Sequence, residues 1–108
     1  MTARHAHSRI DWINAQTDLI VASRLRRNPR VLALARRNLR RWMSRDGRKP
    51  RRTFAEWHGV LHRLSRSQIA EFLASDTPMA RRLRQSSPFA GVLTERERMA
   101  LWRQYDEA

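Results

Sequence analysis

Five helix-start signals punctuate this chain and leave room between them for little except short helices. Asn28-Pro29 and Thr77-Pro78 each set a polar N-cap before a proline, whose missing N–H is no loss at the first helical position. Thr53-Phe-Ala-Glu56, Ser65-Arg-Ser-Gln68 and Thr94-Glu-Arg-Glu97 match the capping box. In that motif a Ser or Thr side chain accepts the amide three residues on, and the Glu or Gln side chain returns the bond. Between these starts the apolar residues recur at three- and four-residue steps, and no stretch alternates as a half-buried strand would.

The spacing predicts helices over Arg9–Arg27, Pro29–Arg45, Phe54–Leu64, Arg66–Ala74, Pro78–Gln85 and Glu95–Tyr105. Ser8 or Asp11 is the expected N-cap of the first, and Asn28 ends it, because the residue before a proline is pushed out of the helical region. In the second, Val31, Leu32, Ala35, Leu39, Trp42 and Met43 share one face at a helical period. Further along, the expected core residues are Phe54, Trp57, Leu61, Leu64, Ile69, Phe72, Leu73, Met79, Ala80, Leu83, Phe89, Val92 and Leu93, and the last helix carries Met99 and Trp102 as its apolar residues. The expected fold is all-α, a compact bundle of five to six short helices, with residues 9–108 as one domain behind a flexible tail over residues 1–8. A chain of 108 residues can bury roughly two-thirds of its unfolded surface, enough for one modest core.

Charge is distributed far less evenly than apolarity. Arg24–Arg52 holds thirteen basic residues against the single acid Asp46, a net of +12 out of the chain's +13. In the second helix Arg30, Arg36, Arg37, Arg40, Arg41 and Arg45 lie largely opposite the apolar face, with no acid in the helix to pair them. Solvated helix faces usually mix signs at i,i+4, so a run of like charge points to a polyanionic ligand. Phosphate contacts are therefore expected from Arg26, Arg27, Arg30, Arg36, Arg37, Arg40, Arg41, Arg45, Arg48, Lys49, Arg51 and Arg52. Arginine outnumbers lysine 22 to 1. Guanidinium suits bidentate phosphate and guanine contacts, although codon usage in a GC-rich genome would give the same excess.

Other chemistries find little support. There is no cysteine, which removes disulfides, thiolate metal sites and thiol nucleophiles. Neither a nucleophile elbow, a phosphate-cradling glycine loop nor a His-Glu-x-x-His motif occurs. His5 and His7, and His58 and His62, are pairs without a third ligand, and the latter read as histidines at the edge of the core. No enzyme activity, cofactor or metal site is expected. No signal peptide is recognisable, and no apolar run approaches the ~20 residues of a membrane span, so a cytoplasmic location and no membrane role are expected.

Ser65–Gln85, SRSQIAEFLASDTPMARRLRQ, resembles a helix-turn-helix unit, with Ala74 where that family usually has glycine and Ala80 where a bulkier aliphatic is common. The resemblance implies a second helix in the major groove, with Arg81, Arg82, Arg84 and Gln85 reading base edges. The stretch RLRQSSPFAGVLTERERMALW is similar to the ends of small bacterial helical proteins of toxin–antitoxin operons. That similarity implies a bacterial source and a role as antitoxin.

Two functions remain open at this stage. One is a DNA-binding regulator or antitoxin, with double-stranded DNA preferred over RNA because no aromatic stacking platform is evident. A homodimer paired through the first helix would then supply two reading helices. The alternative is a protein-interaction module that docks its arginine-rich face on an acidic partner such as a cognate toxin. Trp12 and Trp102 are its interface candidates, because Trp42 and Trp57 fall on core faces.

Overall fold

The computed structural model describes residues 2–49 and 51–107, with side chains from Arg9 onward. It is an all-α bundle of six helices: α1 (Thr2–Arg27), α2 (Pro29–Arg45), α3 (Arg52–Arg63), α4 (Arg66–Ala74), α5 (Pro78–Arg84) and α6 (Glu95–Glu107). No strand occurs among the described residues. The long α1 is the central element. It packs most extensively on α4 and also meets α2, α5 and α6, while α3 closes over α2.

Four of the five start signals form as read. Asn28 Oδ1 accepts the Arg30 amide at 3.0 Å, and Thr77 Oγ1 accepts the Ala80 amide at 3.1 Å. Ser65 and Gln68 exchange both bonds of a capping box, at 3.2 and 2.9 Å. Thr94 and Glu97 do the same at 3.1 and 2.9 Å. The fifth does not form. α3 begins at Arg52 with Arg51 as N-cap and no side-chain cap, so Thr53 lies inside the helix rather than ahead of it, and Glu56 pairs with Arg82. α1 also differs from expectation: it starts at Thr2 and runs through Ser8 and Asp11, so neither residue caps it.

The core is continuous from α1 to α6. Leu25, Leu39, Trp57, Leu61, Ile69, Leu73 and Leu83 are all but sealed from solvent. Trp57 sits at its centre with edge contacts to Phe72 and Phe89, and its indole N–H donates to the Leu83 carbonyl at 3.0 Å. That bond matters because a buried indole donor without a partner costs about 1–3 kcal/mol. Met79, expected inward, is 41% exposed, and the apolar Met99 of α6 is 52% exposed.

Asn38 is a buried polar residue on the apolar side of α2. Its Nδ2 donates to the Pro88 and Ala90 carbonyls, both at 3.0 Å. It thereby clamps the turn between α5 and α6, in which Gly91 adopts φ +93°, a conformation that favours glycine.

Candidate nucleic-acid interface

The candidate site is the outer face of α2 with its flanks. The apolar residues Val31, Ala35 and Leu39 fix the helix's rotation by burying one side. At ~100° per residue, Arg30, Arg37 and Arg41 then fall within about 40° of one another, with Arg40 and Arg45 on either side. All five are exposed. From Arg30 to Arg45 the row extends about 22 Å at the helical rise per residue. It continues through the exposed Arg26 and Arg27 at one end and through Arg48 and Lys49 at the other.

Six of the chain's ten acids are committed to arginines outside α2. Among the described residues the ion pairs are Arg9–Asp106, Arg24–Glu97, Arg51–Asp46, Arg81–Asp76, Arg82–Glu56 and Arg84–Asp18. No member of α2 takes part in any of them. The side chains of Arg26, Arg27, Arg30, Arg37, Arg40, Arg45, Arg48 and Lys49 have no partner among the described residues, and the Arg41 side chain is held only by the neutral Asn38 Oδ1 at 3.0 Å. No carboxylate among the described residues is paired with this face.

Three residues expected to contact phosphate have other roles. Arg36 is half-buried, and its Nε and Nη2 donate to the Leu61 carbonyl at 3.3 and 2.8 Å, tying α2 to the end of α3. Arg51 lies beside Asp46 at 3.6 Å and over the Phe54 ring. Arg52 is exposed and contributes to holding the Glu56 carboxyl below its usual range, after Arg82, whose hydrogen bond is the main cause.

The proposed readers on α5 are largely engaged within the protein. Arg81 makes two 2.7 Å bonds to Asp76, and Arg82 makes bonds of 2.9 and 2.6 Å to Glu56. Arg84 is not presented to solvent: its side chain is 9% exposed. Its Nε donates to Asp18 at 3.0 Å and its Nη2 to the carbonyls of Leu73 and Ser75, so one guanidinium joins α1, α4 and α5. Arg84 therefore does not point away from the buried face, as its place in the helix had suggested. Only Gln85 of the four is exposed without such a bond.

Trp12 and Trp102 are half-buried in the seam between α1 and α6. Trp12 packs on Tyr105 with ring centroids 5.4 Å apart, and the Arg9 guanidinium lies 4.4 Å over Trp102. His58 and His62 are exposed rather than at the core edge, with rings stacked at 4.1 Å. His62 Nδ1 donates to the His58 carbonyl at 2.9 Å. No group of three metal-ligating side chains occurs among the described residues, and the His5 and His7 side chains lie outside them. No described helix is long and apolar enough to cross a membrane.

Neither a protein-family model, nor a curated protein, nor a solved structure matches this chain.

Proposed function

We propose that the protein binds double-stranded nucleic acid, DNA by preference, through the phosphate backbone, with the outer face of α2 as the gripping surface. The observation that carries this reading is the row Arg30, Arg37, Arg40, Arg41 and Arg45, exposed on one helix that holds no acid, whereas Arg9, Arg24, Arg81, Arg82 and Arg84 of α1 and α5 are each paired with a carboxylate. Phosphates supply the counter-charge that the fold withholds, and binding releases the counterions condensed on the duplex. Guanidinium also matches phosphate oxygens two at a time.

Such contacts position a protein on a duplex without selecting a sequence. Selection by α5 would require Arg81 and Arg82 to exchange Asp76 and Glu56 for base edges, which leaves Gln85 as the only reader already free. The grip is therefore mainly sequence-independent, and a regulator or antitoxin would use it for retention on DNA. The test is binding of a random-sequence duplex by R37A/R40A/R41A and by R81A. The triple variant should lose most affinity on every sequence, whereas R81A should bind as the parent does. Equal losses in the two would refute the assignment.

A second reading, docking on an acidic protein, is favoured by the groove beside the same face. Val31, Leu34 and Val92 line it together with Arg27 and Arg30, a mix of aliphatic and guanidinium groups suited to a protein partner. Competition by excess duplex separates the two, since a partner using the same arginines would be displaced.

A further inference from the structure

His58 and His62 stand one turn apart on α3, both exposed, with their rings stacked at 4.1 Å and their planes 20° apart. Residues four apart share one face of a helix, so the pairing follows from the spacing. The His62 Nδ1 donates to the His58 carbonyl at 2.9 Å. In the neutral ring that bond puts the proton on Nδ1 and leaves the lone pair on Nε2. A ring N–H held by a backbone carbonyl is the usual support of a metal-bound imidazole, because it fixes tautomer and orientation together. The His58 ring has no hydrogen bond among the described residues. It is free to tilt until its Nε2 converges with that of His62.

The helix that carries the pair is short of local support. α3 has no side-chain cap, and Gly59 stands in its interior between the two histidines. A Cβ at Gly59 would meet no atom within 4 Å, so packing does not demand the glycine. Glycine weakens a helix interior relative to alanine. An ion held by both rings would span this turn and tie it together. The same turn contains Leu61, whose carbonyl Arg36 grips from α2.

Imidazole nitrogen suits Zn²⁺, Cu²⁺ and Ni²⁺, whereas Mg²⁺ and Ca²⁺ take oxygen ligands. Glu56, the one acid of α3, is held by Arg82, so it supplies no third ligand. We propose that His58 and His62 form a two-histidine site for a divalent transition-metal ion on the exposed face of α3, with water at the remaining positions. The site shares no residue with the α2 arginine row and stands independently of duplex binding. With two protein ligands it takes up and releases its metal reversibly.

Zn²⁺ is a suitable probe, with Mg²⁺ as the oxygen-seeking control. Titration of the full chain, followed by NMR at the imidazole protons, should show saturable shifts at His58 and His62 together. H58A and H62A should each weaken Zn²⁺ binding at least about tenfold, a loss of about 1.4 kcal/mol. Both side chains are exposed, so neither change opens the core. H5A/H7A removes the N-terminal histidines and should leave the shifts at His58 and His62 as they are in the parent. No saturable shift at that pair, an equal response to Mg²⁺, binding unchanged in H58A or H62A, or loss of the shifts in H5A/H7A would each overturn the proposal.

Discussion

Arg84 Nε donates to Asp18 Oδ2 across 3.0 Å, with the two side chains 9% and 5% exposed, 66 residues apart in the chain. This pair is the electrostatic joint of the bundle, since the same guanidinium also ends α4 through the Leu73 and Ser75 carbonyls. Removing one partner of a buried pair leaves the other charge without compensation, a loss of about 3–5 kcal/mol. R84A should therefore lower stability by roughly that amount, measured by urea denaturation. A loss indistinguishable from that of R81A would contradict the placement.

The pair also sets a pH dependence. The Asp18 pKa is raised from 3.8 to about 7 in the fold, chiefly by burial. The folded state thus holds this proton more tightly than the unfolded chain does. The resulting stabilisation is complete below the unfolded value and is lost as pH rises through about 7. D18N should flatten the unfolding free energy over that interval, and an unaltered slope would argue against a buried Asp18.

Glu97 acts with the opposite sign. The Arg24 hydrogen bond, then the Thr94 amide, pull its carboxyl from 4.5 down to about 2. Its contribution is present above the unfolded value and is lost as pH falls toward about 2. E97Q keeps an acceptor for the Thr94 amide and should reduce the acid sensitivity of α6, read by circular dichroism below pH about 4.5.

Arg36 and Arg37 are neighbours with different duties. Arg36 donates twice to the Leu61 carbonyl, whereas Arg37 is exposed and unpaired. R36A should cost about 1.5–3 kcal/mol of stability, as for hydrogen bonds from a charged group. R37A should stay within about 0.5 kcal/mol and weaken duplex binding instead. Thermal unfolding of both variants beside a binding titration checks the division.

Much of this architecture could be read from the residues because it is local. The caps at Asn28, Ser65, Thr77 and Thr94 close over two or three residues, so sequence order alone specifies them. Thr53 had the same signature, but α3 starts ahead of it at Arg52, and Glu56 meets Arg82, 26 residues away. Met79 and Met99 lie on helices whose other buried residues fix the rotation, and a single methionine does not redirect it. The α2 face was legible from its period. The identity of its free arginines was not, since pairing depends on acids brought together from distant segments, as with Arg9 and Asp106, 97 residues apart. Asn38 carried a faint signal, a lone amide on an apolar stripe, but its carbonyl partners at Pro88 and Ala90 arise only from the fold.

If the unpaired arginines of α2 hold phosphate, duplex binding must weaken steeply with salt. Affinity for a random duplex of about 20 base pairs should fall by roughly three orders of magnitude between about 50 and 200 mM salt, as expected for six or more phosphate contacts. The slope of log affinity against log salt should shrink by about 0.9 for each of Arg30, Arg37 and Arg41 replaced by alanine. Affinity that is flat across that range, or a slope unmoved by those substitutions, would contradict phosphate binding by this face.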